Sequence, residues 1–207
     1  MTLVKICGIT DVETAEFAAK EGAAFIGLIF EPSSHRYVTP EEAKEIAAVA
    51  KRFGAIPVGV FTDHDAQEIQ VIAKQVGLET LQLYGQKARA ACSDLPAHYT
   101  RLFVLYVESN GKVQHEDLKD LNPKRDFLVY DGVVPGSGQT FNWENFQPEG
   151  SFRFFLAGGL NPDNVQLAIK MKHPAAVDVS TGVENPETKK KDLGRIRLFI
   201  QKVQEVI

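Results

Sequence analysis

The strongest constraint in this chain is a repeated change of hydrophobic period. Short apolar runs of strand length alternate with longer stretches in which apolar residues recur at helical spacing. The runs fall at residues 3–7, 24–30, 57–61, 80–83, 101–107, 127–130, 152–157 and 175–179. Helices are predicted over 11–21, from 39–40 onward, and over 66–76, 86–95, 115–121, 162–171 and 193–206. After the sixth run only a short segment near Trp143 is available, behind a Gly-rich loop. Thr39 suits an N-cap, Pro40 fits the first helical position and Glu42 completes a capping box. Gly77 fits the stop just past the third helix.

Strict alternation argues for a parallel sheet, because parallel strands need helical crossovers. Eight strand–helix units in 207 residues fit a closed (β/α)8 TIM barrel, one domain over residues 1–207. The competing open doubly wound sheet usually has five or six strands. With 44% hydrophobic and 24% charged residues, a chain of this length builds a core without disulfide or metal. Against 27 acidic side chains stand 23 basic ones, a net −4, so neither nucleic acid nor a membrane surface is an expected partner. Cys7 and Cys92 are too few for a disulfide framework and suit a reducing compartment. Residues 1–10 lack the apolar core of a secretory signal, and no window approaches ~20 uninterrupted apolar residues. A cytoplasmic protein, and a monomer, is the expectation.

In such a barrel the reactive side chains stand at the C-terminal ends of the strands. Cys7 ends the first run, the loop containing Arg36 follows the second, Gln82 lies near the end of the fourth and Asp131 ends the sixth. Gly158 and Gly159 end the seventh, and Asp178 precedes Ser180, Thr181 and Gly182 at the eighth. The seventh and eighth loops read as an anion site, because glycines let backbone N–H groups approach a ligand and barrels often bind phosphate there. The alternative is that the glycines only make tight turns. Cys7 is either an inert small hydrophobe or a nucleophile or base, and Lys5, two residues back on the same strand face, offers it positive charge. Asp131 is a carboxylate delivered to the rim by apolar residues, so it is a reactive or ion-paired group unless it caps its loop. Asp178 carries the same ambiguity. Arg36 is a bidentate carboxylate reader or a solvated arginine. Cys92 and Trp143 read as packing, and nothing groups the five histidines at metal-ligand spacing.

Eight segments then carry a resemblance. Val4-Lys5-Ile6-Cys7-Gly8-Ile9-Thr10 and Ser34-His35-Arg36-Tyr37-Val38 resemble the first strand and second loop of the phosphoribosylanthranilate isomerase family. Val58-Gly59-Val60-Phe61 and Leu81-Gln82-Leu83-Tyr84-Gly85 resemble its third and fourth strands. Asp131 with Pro135-Gly136-Ser137-Gly138-Gln139-Thr140-Phe141-Asn142-Trp143 resembles its sixth strand and loop. Leu156-Ala157-Gly158-Gly159-Leu160-Asn161-Pro162 and Val177-Asp178-Val179-Ser180-Thr181-Gly182-Val183-Glu184 resemble its phosphate loops, and Lys191-Asp192 its last helix entry.

The resemblance implies an Amadori rearrangement of N-(5'-phosphoribosyl)anthranilate in tryptophan biosynthesis, with no metal or organic cofactor. By the same resemblance Cys7 is the base and Asp131 the acid. Arg36 meets the anthranilate carboxylate, Asp178 orients the site, and Lys5 and Gln82 complete the expected substrate contacts. Gly158, Gly159, Asn161, Ser180, Thr181 and Gly182 hold the phosphate. The base needs a depressed thiol pKa and the acid a raised carboxyl pKa. Three residues depart from the pattern: Tyr84 where a histidine is usual, Thr181 where a serine is common, and Lys189-Lys190 where a glycine is frequent. None of them is expected to touch the acid–base pair. The competing readings are another phosphosugar isomerase or synthase on the same barrel, a non-catalytic phosphosugar-binding protein, and a thiol redox protein. The last lacks a nearby second cysteine.

Overall fold

The structure is a computed structural model and describes residues 1–134 and 138–206. Pro135-Gly136-Ser137 of the Gly-rich loop motif lie outside the described residues. All eight expected strands form: β1 (Leu3–Cys7), β2 (Phe25–Ile29), β3 (Ile56–Phe61), β4 (Thr80–Leu83), β5 (Thr100–Val107), β6 (Phe127–Gly132), β7 (Phe154–Leu156) and β8 (Ala176–Val179). Each pairs in parallel with its sequence neighbours, and β8 returns to β1 to close the barrel.

Side chains alternate between the two faces of the closed sheet. One set, including Ile6, Leu28, Leu81, Leu105, Tyr130 and Val177, belongs to the large outer core beneath the helices. The other fills the barrel: Phe25, Val58, Leu102, Val104, Val129, Phe155, Ala157 and Ala176 form a separate buried cluster. The ring of Phe155 meets Phe25 edge-on at 5.1 Å and Phe127 at 5.4 Å. Two residues further along several strands, the inner row turns polar. Phe127 and Val129 lead to Asp131, Ala176 to Asp178, and Lys5 to Cys7. One period of two therefore builds both an apolar floor and a reactive mouth.

Six α-helices are present among the described residues: α1 (Val12–Glu21), α2 (Pro40–Arg52), α3 (Ala66–Val76), α4 (Gln86–Ala90), α5 (Val165–Lys172) and α6 (Leu193–Gln204). The starts of α1, α2, α3 and α6 are fixed by side-chain caps that accept otherwise orphan N–H groups. Asp11 accepts from Thr14 N at 2.7 Å and Asp192 from Arg195 N at 3.0 Å. Thr39 with Glu42 and Asp65 with Glu68 form capping boxes, and Gly77 ends α3 in the left-handed conformation. No helix among the described residues is long and apolar enough to cross a membrane.

Two helix expectations are corrected. The stretch over 115–121 is not helical. Its only apolar residues are Leu118 and Leu121, too narrow a stripe to hold a helix on the barrel, and Pro123 follows closely. Leu121 is buried and Leu118 packs partly against the outer core. The helix expected over 86–95 stops at Ala90 and tightens into a 3₁₀ turn, Ala91–Asp94. Pro96 drives Leu95 to an extended conformation, with ψ 134°. After β6 the barrel wall is covered by buried Phe141, Trp143 and Phe146 rather than a helix, with Phe146 against Tyr130 at 4.8 Å.

Phe155→Ala removes the central ring of the barrel floor. It is expected to cost about 3–5 kcal/mol in urea unfolding, and a cost below about 1 kcal/mol would refute a close-packed floor.

Candidate active site

A cleft of about 500 Å³ opens at the C-terminal mouth of the barrel. Its walls include Cys7, Arg36, Gln82, Tyr84, Asp131, Gly158, Gly159, Asp178, Ser180, Thr181 and Gly182, so most of the residues expected at the site converge there. Two do not line it. Lys5 is fully buried below the cleft, and its Nζ donates to Asp178 Oδ2 at 2.8 Å. Asn161 is turned into its own loop, where Oδ1 accepts from Asp163 N at 2.8 Å and Nδ2 reaches Gly159 O at 3.5 Å. It serves to shape the turn into α5.

Lys5 and Asp178 sit in register on β1 and β8, the two strands that close the barrel. Burial opposes the charge on Lys5, but Asp178 and Cys7 outweigh it and its pKa is raised. Cys7 lies just above. Burial pushes its thiol pKa up, and the attraction of Lys5 does not reverse that. The expectation of a depressed Cys7 pKa is therefore corrected: burial outweighs the lysine charge, which Asp178 partly offsets, and the resting Cys7 is a neutral thiol. Room for this cluster comes from Gly27, the register partner of Cys7 on β2. A Cβ at Gly27 would stand 2.8 Å from Cys7 Sγ, 3.0 Å from Cys7 Cα and 3.1 Å from Lys5 Nζ. Sequence reading missed Gly27; its signal was a glycine in the middle of an otherwise bulky strand.

Asp131 behaves as the sequence predicts. Burial lifts its carboxyl to about 6, helped by Asp178 and opposed by hydrogen bonds from Tyr84 and Gly132. Tyr84 OH donates to Asp131 Oδ2 at 2.6 Å, and Gly132 N–H donates to Oδ1 at 2.8 Å. The expectation that no departure touches the acid–base pair is thus overturned at Tyr84, because its long side chain spans from the end of β4 to β6.

Arg36 is held rather than free. Its Nε and Nη2 donate to Glu184 at 2.5 and 3.0 Å, and Nη2 also reaches Thr181 Oγ1 at 3.0 Å. Lys191 Nζ donates to Glu184 Oε1 at 2.9 Å, Ser180 O at 3.0 Å and Ser180 Oγ at 3.1 Å. Burial works against the Glu184 carboxylate, yet Arg36 and Lys191 bring it down to about 2, so it stays ionised. Burial lowers the Lys191 pKa. This Arg36–Glu184–Lys191 network was not read as part of the site. Its signal was a glutamate directly after the apolar Val183, with Lys191 one residue before the Asp192 cap.

The glycine turns expected to bind an anion are tight. Gly158 and Gly159 have φ of 82° and 67°, and a Cβ on Gly159 would meet the Gln139 carbonyl carbon at 2.5 Å. Ser180 Oγ donates to Cys7 O at 3.0 Å, which ties the eighth loop to the end of β1. Two buried oxygens on the cleft residues, Gln82 Oε1 and Asp178 Oδ1, have no hydrogen-bond partner. Such acceptors are costly unless a ligand donates to them. Cys92 does not line the cleft; it is buried in the 3₁₀ turn, where burial pushes its thiol up to about 11.

The family described as N-(5'phosphoribosyl)anthranilate (PRA) isomerase matches residues 4–202. The N-(5'-phosphoribosyl)anthranilate isomerase of Chlamydia caviae is 42% identical over 198 residues, covering 95% of this chain and 94% of its own. That of Streptococcus pneumoniae is 40% identical over 208 residues, covering 100% and 98%. The crystal structure of phosphoribosyl anthranilate isomerase from Thermotoga maritima superposes with a TM-score of 0.80 at 34% identity, covering 99% of each chain. A phosphoribosyl anthranilate isomerase in complex with reduced 1-(o-carboxyphenylamino)-1-deoxyribulose 5-phosphate superposes with a TM-score of 0.77 at 32% identity and the same coverage. With its eight-stranded barrel and these relatives along its length, the chain belongs to the N-(5'-phosphoribosyl)anthranilate isomerase family.

Proposed function

We propose that Cys7 and Asp131 carry the reaction of this family in this chain. That reaction isomerises N-(5'-phosphoribosyl)anthranilate to 1-(2-carboxyphenylamino)-1-deoxyribulose 5-phosphate in tryptophan biosynthesis. The observation that carries the assignment is one cleft walled by both a buried thiol and a half-buried carboxyl tuned to about 6, with the glycine turns on the same rim. Asp131 gives its proton to the ribose ring oxygen as the C1–O bond breaks and the anilino nitrogen lone pair forms the iminium. Cys7, as thiolate, takes the proton from C2, and the electrons left behind form the enol. Protonation at C1, with loss of the proton from the C2 hydroxyl, then gives the ketone. Backbone N–H groups around Gly159 and Ser180 to Gly182 hold the phosphate. Arg36 offers Nη1 to the anthranilate carboxylate while Glu184 fixes its other edge. Gln82 Oε1 and Asp178 Oδ1 accept from sugar hydroxyls. Lys5 acts from below, as the partner of Asp178. The same reading makes the protein a cytoplasmic monomer of one barrel domain that takes a small-molecule phosphosugar without metal or organic cofactor. The free cysteines Cys7 and Cys92 suit that compartment.

The resting ionisation follows from the two environments. Near neutral pH Cys7 holds a proton and Asp131 is largely ionised. The working state needs the reverse, a thiolate and a carboxylic acid. It contains the same number of protons, so it is a minor tautomer of the resting site and a constant fraction of it between the two pKa values. The sign follows: below about 6 both groups are protonated and the thiolate is lost, whereas above the Cys7 pKa both are ionised and the acid is lost. Turnover is expected to rise with pH through about 6 and to fall only on the far alkaline side. A profile that falls as pH rises through 6 would contradict this ionisation.

Cys7→Ser and Asp131→Asn are each expected to lower kcat by about 10²–10⁴-fold in a fluorescence assay following loss of phosphoribosylanthranilate, with the fold retained. Full activity in both variants would sink the mechanism. Arg36→Ala is expected to lower kcat/KM at least about tenfold, mainly through KM, and an unchanged kcat/KM would remove Arg36 from substrate binding. Gly27→Ala pushes on the Cys7 sulfur and should lower kcat roughly 10- to 100-fold with little change in KM; an undisturbed kcat would show the thiol position to be uncritical.

A further inference from the structure

We propose that Tyr84 is a positioning residue for the acid: its hydroxyl holds Asp131 Oδ2 and receives the negative charge left there when the proton is given to the substrate. The proposal rests on the assignment of Asp131 as the acid. Tyr84 follows β4 directly, and its N–H donates to Phe61 O at 2.8 Å. Its carbonyl accepts from Arg89 Nη1 at 2.6 Å and from Tyr106 OH at 3.0 Å. The Tyr106 ring meets the Tyr84 ring edge-on, with centroids 5.8 Å apart and an interplanar angle of 74°. Backbone and ring are thus anchored on β3, β5 and α4, and the phenol reaches across the mouth to β6.

The hydroxyl makes a 2.6 Å bond to a half-buried carboxylate oxygen, the short geometry of a charge-assisted bond. Such a bond favours the ionised carboxyl and loses strength when the carboxyl is neutral. The groups that face Asp131 divide by sign. Asp178 on β8 raises its pKa, Lys5 on β1 lowers it, and the N–H of Gly132 and the hydroxyl of Tyr84 lower it. Tyr84 itself keeps its proton. Burial, then Asp131, Tyr106 and Cys7, push its pKa far above the ordinary tyrosine value. In the step, the Asp131 O–H bond breaks and an O–H bond forms on the ring oxygen. The phenol O–H stays intact and tightens onto the new carboxylate. Burial alone would leave Asp131 a poor donor, and Tyr84 is the counterweight that keeps the carboxyl able to release its proton and recover it.

The test is kcat against pH for the wild-type protein and Tyr84→Phe, with Asp131 titrated in parallel by 13C NMR of the aspartate-labelled proteins. Asp131→Asn assigns the resonance. In Tyr84→Phe both the acid limb and the carboxyl midpoint are expected to move up by about one unit or more. The phosphate of the substrate also ionises near 6, roughly where Asp131 does, but it is indifferent to residue 84. Global fluorotyrosine incorporation strengthens the phenol as a donor without changing its shape, and is expected to move the midpoint down. An unmoved midpoint in folded Tyr84→Phe, or in the fluorotyrosine protein should the variant not fold, overturns the proposal. Absence of isomerase activity in the wild type would instead overturn the acid–base assignment, while the NMR midpoint would still decide whether Tyr84 tunes Asp131.

Discussion

Lys5 and Asp178 meet at the seam where β8 returns to β1, and the rest of the site is arranged around their ion pair. Both are buried, and neither charge is tolerable there alone: removing one partner of a buried pair typically costs about 3–5 kcal/mol. The pair therefore ties barrel closure to the interior of the site. It puts a cation directly under Cys7 and leaves the second Asp178 oxygen unpartnered beside the cleft. Across the mouth its two halves act oppositely on Asp131: Asp178 adds to the burial that raises the carboxyl pKa, and Lys5 opposes it.

Two ionic clusters divide the labour at this end of the barrel. The inner one, Lys5 with Asp178, sits below the thiol. The outer one, Arg36 with Glu184 and Lys191, sits behind the eighth loop and crosses from the second loop to the entry of α6. Both involve cations anchored by a buried carboxylate, so neither is a loose positive charge that attracts anions in general. Under the proposed assignment a chain with a net −4 meets its anionic substrate through local complementarity, oriented N–H groups and a fixed guanidinium, rather than through net charge.

The barrel was legible because its signal is collective. Eight changes of period in a row leave few alternatives, and each survives an error of one or two residues at its ends. The strand-end residues were legible for the same reason, since topology alone sends Cys7, Asp131 and Asp178 to one mouth. What failed to show was whatever depends on reach between distant elements. Tyr84 and Asp131 are 47 positions apart, and Arg36 and Glu184 are 148 apart. No local pattern announces that a phenol spans β4 to β6, or that an arginine already has a carboxylate. The Cys7 pKa differs from expectation because burial at the closed mouth, with Asp178 beside it, outweighs the pull of Lys5. The helix expected over 115–121 failed locally, because two leucines cannot hold a helix against the outer wall.

The two crossovers whose described residues form no α-helix fall side by side, after β5 and after β6. They give the barrel an uneven mechanical character. The half formed by β8, β1, β2 and β3 is braced by α6, α1, α2 and α3, which pack in succession around it. The wall at β5 and β6 is sheathed by irregular chain whose hold is a few aromatic and leucine side chains. Local opening, as amide exchange would see it, starts from the lowest-stability segments and spares the best-packed ones. Cys7 and the closing seam thus belong to the arc braced by helices. Asp131 stands on the irregularly sheathed wall, and the phenol of Tyr84, whose backbone is bonded to β3, reaches it across the mouth.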